Sequence, residues 1–389
     1  DLTEAVLRQD PAGIYTQMDE RTRDMYRREV TRLAKKSGIV EQKLARAVLE
    51  LARKSSGEAA HVGHWLFVRP MGAEPRGDGC TGYVAANLLI GLFLSLLGGY
   101  FTRSFFTAAL LLLPVSELVK SLLDMLVLRL AQPRLIPRLE LPGGVPEEGL
   151  TVCAVSALLT SEKTGGELAA RLEEYRLASR DCGENLLFAL LADLPEAAER
   201  TVDTDNDRLE SARAAVDALN RKYGGGFYLL CRRRSFSAPD GRWMGRERKR
   251  GAIMALAALM RGGGGELSVL SGDPARLTGA RYILALDSDT RLLPGAAREL
   301  IGAMLHPMNR PKIENGRVVS GSGVMHPRMV TELASAVRTR FSRCFAGEGG
   351  TDPYGSACGE LWMDLTGRGG FSGKGIMDAQ ALLECCSSL

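Results

Sequence analysis

The sequence of 389 residues predicts an α/β domain with a mostly parallel sheet, preceded by a helical region and a pair of apolar helices. Three observations carry this expectation. Short apolar runs alternate with amphipathic stretches after residue 149, no charged residue falls between Asp78 and Arg103, and the segment up to about Ser56 is charged with helical periodicity.

The amino-terminal region, residues 1–78, reads as mainly helical. In "MDERTRDMYRREVTRLAKKSG", Met25, Val30, Leu33 and Ala34 recur at helical spacing among Arg and Lys. The loop "HVGHWLF" places two histidines three apart without further ligands nearby, so no metal is expected there.

Residues 79–130 read as membrane helices. "GYVAANLLIGLFLSLLGGYF", residues 82–101, is long enough to cross a bilayer. A second run, about 104–127, meets Pro114, Glu117, Lys120 and Asp124, and two readings stand for it: the return leg of a hairpin or an interfacial helix. A buried helix pair in a soluble protein is the competing reading of both runs. Arg69 and Arg76 precede the pair and Arg129, Arg134 and Arg138 follow it, whereas the connection offers Arg103, which predicts cytoplasmic flanks.

After a proline-marked linker, residues 131–149, the runs "LTVCAVSALL", "NLLFALLADLP", "GFYLLCRR", "RYILALDSD" and "RVVSGSGVM" read as strands. Thr164 to Leu177, Arg208 to Arg221 and Arg248 to Met260 read as helices. Ligands of such sheets sit beyond the carboxyl ends of strands, where Asp193, Asp287 and Asp289 fall.

Asp287-Ser288-Asp289 offers two hard oxygen ligands that suit Mg2+ or Mn2+ shared with a substrate diphosphate. The plain alternative is an Asp-rich turn capping the helix that begins near Pro294. In "GRERKRGAIMALAAL", Arg246, Arg248, Lys249 and Arg250 surround a helix start suited to phosphate oxygens, or form a solvated basic turn. "RGGGGE" lacks the lysine and hydroxyl of a phosphate loop and is assigned no phosphate role. In "GGFSGKGIMDAQ", Lys374 lies between glycines and Asp378 follows, either as a general base towards an acceptor hydroxyl or as an ordinary helix cap.

The composition is that of a folded protein, 45% hydrophobic and 25% charged, which excludes global disorder. A net charge of +4 gives no continuous basic field, and no nucleic-acid partner is expected. The 8 cysteines lack paired spacing and neighbouring histidines, so reduced structural thiols are expected. A start at Asp1 and an end at "LECCSSL" suggest a piece of a longer protein.

Taken in order, "DPAGIYTQMDERTRDMYR", "HVGHWL", the apolar pair, "ALLADLPEA", "GRERKRG", "LALDSDTRLLPGAARELIGAMLHPMNRP" and "TDPYGSACGELWMDLTGRGGFSGKGIMD" resemble the cyclic β-1,2-glucan synthases. The resemblance spans nearly the whole chain. It implies a bacterial inner-membrane protein whose cytoplasmic transferase domain, residues 150–389 and incomplete at its carboxyl end, has the nucleotide-diphospho-sugar transferase (GT-A-like) fold. It further implies UDP-glucose as donor, with Asp287 and Asp289 holding the metal and the UDP diphosphate. Asp193 would lie on the uridine side, Lys249 and Arg250 would contact phosphate, and Asp378 would be the general base.

The Gln-x-x-Arg-Trp motif of processive transferases and the phosphorylase-like region of the full-length synthases do not occur in these residues. The latter is an expected partner on the same polypeptide, beside the glucan acceptor and the lipid bilayer. The expected reaction is an inverting transfer to an acceptor glucose 2-hydroxyl. Two rivals are another membrane UDP-sugar transferase of this fold and a non-catalytic membrane scaffold with a transferase-like domain.

Overall fold

A computed structural model of the protein describes residues 2–68, 80–130, 136–263, 265–327, 329, 332–345 and 373–386. They fall into two compact units, Asp1–Met71 with Ile136–Pro327 and Ser372–Leu389 in one, and Gly72–Leu135 with Arg328–Phe371 in the other.

The first unit is built on a seven-stranded sheet. Its strands are β1 (Thr151–Leu158), β2 (Leu186–Asp193), β3 (Phe227–Arg232), β6 (Leu267–Ser271), β7 (Tyr282–Leu286), β10 (Val324–Met325) and β11 (Gly375–Asp378), while β4 (Ser235–Ser237) pairs with β5 (Arg242–Met244) and β8 (Lys312–Glu314) with β9 (Arg317–Ser320) in separate hairpins. The order across the sheet is β10-β11-β7-β1-β2-β3-β6. β7, β1, β2 and β3 run parallel, and β6 and β11 run against them. The chain moves outward from β1 to β3 and then returns to lay β7 on the other side of β1. A topological switch point therefore opens between β1 and β7.

Burial explains the continuous apolar runs. All eight residues of β2 are buried, because helices cover both faces of the sheet. Phe188 and Leu190 face the core made with Leu168 and Leu172 of α6 (Glu162–Ala178), Val216 of α7 (Thr204–Tyr223) and Ile301 of α10 (Ala296–Leu305). Leu187, Ala189 and Leu191 face the core made with Ile253, Leu256 and Met260 of α8 (Arg248–Met260) and Leu277 of α9 (Pro274–Thr278). Truncating one such leucine to alanine costs about 2–5 kcal/mol.

The amino-terminal helices α1 (Leu2–Leu7), α2 (Glu20–Ser37) and α3 (Glu41–Arg53) belong to this same unit, where the sequence suggested a separate region. Asp19 caps α2 by accepting from the Thr22 amide, and Gly38 ends it in the left-handed conformation. The expected linker is an ordered seam from Ile136 onward. Arg138 pairs with Asp19 and Glu299, the Leu139 amide donates to the Gly302 carbonyl, and Glu140 N donates to Gln17 O.

"HPMNRP" completes that seam. Asn309 donates to the Pro137 and Ala303 carbonyls, and Tyr26 OH meets both Met308 Sδ at 3.2 Å and His61 Nε2 at 2.8 Å. His61 Nδ1 lies 2.9 Å from Asp10, which also accepts from the Ile14, Tyr15 and Val62 amides. "DPAGIY", "HVGH" and "HPMN" thus converge on one buried polar cluster. Within it His61 is engaged on both ring nitrogens, by Asp10 and by Tyr26.

The second unit contains α4 (Cys80–Thr102) and α5 (Phe105–Leu130), which pack against one another. Both are long and apolar enough to cross a membrane. Leu88, Phe93, Phe101, Phe106 and Leu113 are exposed on their outer surfaces. Tyr83 OH donates to Asp124, and Lys120 approaches the same carboxylate at 3.5 Å. Arg69, Arg76 and Arg134, used for the orientation expected from sequence, and the "TDPYGSACGELWMDLTGRGGFS" segment lie outside the described residues.

Three stretches depart from the sequence expectation. "RVVSGSGVM" divides into β9, paired with β8, and β10, paired with β11. β6 and β11 went unread, β6 because four of its five residues are half-buried at the sheet edge and β11 because it looked like loop. Six cysteines among the described residues are free, with Cys153, Cys182 and Cys231 buried.

Candidate functional site at the sheet switch point

β7 buries Tyr282 to Leu286 completely and delivers Asp287 to the carboxyl edge. The turn beyond it is fixed from behind by Tyr175 of α6, whose hydroxyl donates to the Thr290 carbonyl at 2.6 Å and the Asp287 carbonyl at 3.3 Å. The Thr290 amide closes the turn on the Asp287 carbonyl. Asp287 keeps 36% of its side chain exposed, so it is positioned but open.

Two lysines converge on it from distant parts of the chain. Lys249, in the first turn of α8, pairs with Oδ1, and Lys374, immediately before β11, pairs with Oδ2 at 3.1 Å. Burial pushes the Asp287 carboxyl up, but Lys249 and then Lys374 more than reverse this and hold it below the usual carboxylate range. The cluster carries two cations against one anion. It retains positive charge to offer a ligand.

Beside the cluster lies a cleft of ≈ 540 Å3 at the switch point, lined by Ser156 and Leu158 at the end of β1, Glu167 and Arg171 of α6, Asp193, Lys249 and Ser288 among others. Its walls come from the carboxyl ends of β1 and β2, the start of α8 and the turn after β7. A phosphorylated ligand there would meet the helix start and Lys249, the lysine of the pair that lines the cleft.

The residues expected from sequence separate here into those brought together and those that are not. Asp287 and Lys249 meet, and Asp289 is exposed two residues further along the same turn. Among the described residues no group of three or more His, Cys, Asp or Glu is assembled to hold a metal ion. Asp287 and Asp289 nevertheless supply hard oxygens at an open turn, which suits a cation that takes its remaining ligands from phosphate and water.

Arg250 is turned away from the cluster. It pairs with Glu247 at 3.1 Å and does not line the cleft, since neighbours on a helix point about 100° apart. Asp193 reaches the cleft, yet both its oxygens accept from Arg232, at 2.9 and 2.6 Å, and it is 4% exposed. Its carboxylate is engaged in an internal ion pair at the cleft wall.

Asp378 is the clearest correction. β11 runs antiparallel to β7, with Gly375 opposite Ala285 and Asp378 opposite Tyr282. The strand therefore starts near Asp287 and carries Asp378 to the opposite, amino edge, five residues or about 16 Å away along β7. There Asp378 is buried, pairs with Arg281 at 3.2 Å and caps the closing helix Ala379–Cys386 by accepting from the Gln380 and Ala381 amides. The helix-cap alternative describes its contacts, and the strand register sets it apart from Asp287.

Lys374 was legible as a lysine between glycines but not as a partner of Asp287. Gly375 after it has a φ of 150°, and a Cβ there would stand 2.3 Å from the Met325 carbonyl oxygen. Tyr175 and Arg232 gave no signal in sequence, since a tyrosine in an amphipathic helix and an arginine in "CRRRS" look ordinary.

An open sheet covered on both faces by helices, with a cleft at its switch point, defines the class: an α/β protein of mixed, mainly parallel sheet, of the kind in which ligands sit beyond the carboxyl ends of the strands. The chain is a relative of a glucan synthase, being similar to the cyclic beta-(1,2)-glucan synthase NdvB of Rhizobium meliloti (strain 1021), with 29% identity over 407 residues. The match covers 94% of this chain and 14% of that protein, so the chain spans about one seventh of the length of its curated relative. No protein-family model matches the chain.

Proposed function

We propose that these residues form the donor-binding part of a membrane-bound glucosyltransferase that transfers glucose from UDP-glucose to a growing β-1,2-glucan. The observation that carries the reading is the meeting of Lys249, Asp287 and Lys374 beside the switch-point cleft, in a chain related to a glucan synthase. The strand order and the antiparallel β11 support a sheet of the nucleotide-diphospho-sugar transferase type.

In this reading the UDP diphosphate lies across the start of α8. Lys249 and Lys374, which neutralise Asp287 in the unliganded site, turn part of their charge to the phosphate oxygens. Mg2+ or Mn2+, held by Asp287 and Asp289, would neutralise the departing diphosphate when bound. Tyr175 holds the turn so that both carboxylates stay at the edge. The displacement inverts the anomeric carbon and needs alignment and charge stabilisation rather than a covalent enzyme intermediate. The base that deprotonates the acceptor hydroxyl is a residue other than Asp378.

The apolar helices α4 and α5 would anchor the protein in a bacterial inner membrane, with the sheet unit on the cytoplasmic side where UDP-glucose is available. The direct test is incorporation of radiolabelled UDP-glucose by membranes carrying the full-length protein, followed by linkage analysis. A β-1,2-linked product supports the reading. A different linkage would favour another UDP-sugar transferase, and no incorporation with metal present would favour the scaffold.

A further inference from the structure

We infer that Arg232, fixed by Asp193, is a positioning residue that sets the turn opening α8 and thereby places Lys249 beside Asp287. The inference rests on the donor-diphosphate reading of the Lys249 site and deepens it by one structural layer.

Arg232 is the last residue of β3 and is 2% exposed. Its guanidinium makes four hydrogen bonds: Nε to Asp193 Oδ1 at 2.9 Å, Nη2 to Asp193 Oδ2 at 2.6 Å, Nη1 to the Arg246 carbonyl at 2.6 Å and Nη2 to the Arg248 carbonyl at 2.8 Å. One side of the fork is neutralised by the carboxylate. The other grips the backbone on both sides of Glu247.

The gripped backbone is strained. Glu247 and Arg248 have φ values of 55° and 44°, left-handed conformations that are unfavourable for a residue with a side chain. Such a turn persists where its surroundings over-determine it, and here the two carbonyl bonds to Arg232 are joined by the Arg248 amide donating to the Gly245 carbonyl and the Arg248–Glu196 ion pair. Lys249 is the next residue.

The two glycines that bracket "GRERKRG" are explained by the same clamp. A Cβ on Gly245 would stand 2.7 Å from Arg232 Nη2 and 2.8 Å from Asp193 Oδ2, and one on Gly251 would stand 2.4 Å from Arg232 Nη1 and 2.2 Å from the Arg246 carbonyl oxygen. Both positions must lack a side chain for the arginine to reach the turn. A buried ion pair is a poor device for stability alone, since apolar residues of similar volume often do as well. A fork that joins a strand end to a strained helix start acts as a positioning element.

The test uses the full-length protein with Arg232→Lys, which keeps the charge opposite Asp193 but cannot grip both carbonyls, with Lys249→Ala, and with both changes. UDP affinity is measured for each. Lys249→Ala and Arg232→Lys are each expected to weaken UDP binding about tenfold, the loss of one charge-assisted contact. The double variant should bind no more weakly than Lys249→Ala, because both changes remove the same interaction.

Additive losses would overturn the inference by showing that Arg232 acts apart from Lys249. Unchanged UDP affinity in Lys249→Ala would instead sink the donor-diphosphate reading. The placement of Lys249 is then read without nucleotide, by the rate at which its amine is labelled in the folded protein. A rise of about threefold or more in Arg232→Lys supports the clamp, as expected for loss of a hydrogen bond that holds the turn. An unchanged rate refutes it, whatever the nucleotide result.

Discussion

Asp287 and Asp378 end neighbouring strands of one sheet, and they have opposite fates. Asp287 leaves β7 at the carboxyl edge, stays one-third exposed and gathers two lysines beside a cleft. Asp378 leaves β11 at the amino edge, is 4% exposed, pairs with Arg281 and caps a helix. The chemistry of the two side chains is identical. Strand direction decides which one can meet a ligand and which one holds the fold together.

That contrast breaks most sharply at Asp287. Asp287→Ala should reduce glucan formation by the full-length protein by about a hundredfold or more, the scale of losing a principal charge contact to a leaving group. Its melting temperature should change little, since the side chain is one-third exposed. Near-normal activity in the folded variant would end the assignment.

Asp378→Ala should behave in reverse. Removing a buried partner of Arg281 together with a helix cap should cost roughly 2–5 kcal/mol of stability. Denaturant unfolding reads the loss, while turnover per folded molecule stays close to that of the parent. A stable but inactive Asp378→Asn protein would restore the aspartate as a base and contradict the strand register.

A finer test concerns Lys374. Lys374→Ala removes one of two cations at Asp287 and should weaken UDP binding about tenfold. The carboxyl of Asp287 should titrate nearer its ordinary range in that variant, because one of the two lysines holding it down is gone. Isotope-edited NMR or infrared titration of Asp287 measures the shift.

The smallest effect extends the contrast between open and closed polar groups to His306. Burial, and then the neighbouring His61, lower its titration from 6.5 to about 3. The unfolded chain therefore takes up a proton below pH 6.5 that the folded protein refuses until about pH 3. Stability is fully present above pH 6.5 and declines as pH falls through this window. His306→Gln should flatten the melting temperature against pH between 6.5 and 3.8, above the range where the lowered Asp10 titrates.

How far the sequence could anticipate this site depends on how local each signal is. Asp287 was legible because an apolar run and the aspartate that ends it are neighbours in the chain. The start of α8 was legible for the same reason, from basic residues ahead of a helical pattern. Asp378 was misread because its position depends on β11 inserting antiparallel beside β7, and no local pattern in "GIMD" encodes a strand direction. In "CRRRS", burial alternates along the extended chain, with Arg232 and Arg234 inward and Arg233 outward. Arg234 finds Asp205 as Arg232 finds Asp193, but identical side chains give no sequence signal for which of the three has a partner. The polar cluster of Asp10, His61 and Tyr26 was present as motifs, yet its closure by Met308 joins residues 282 positions apart.

That last separation sets a clock on biosynthesis. Tyr26 leaves the ribosome long before Met308, and at about 5–20 residues per second the interval is roughly 15–60 s. Through that time Tyr26 of α2 has His61 beside it but not Met308, while α4 and α5 emerge in between. The nascent amino-terminal helices therefore wait, incomplete, for a segment made near the end of the sheet.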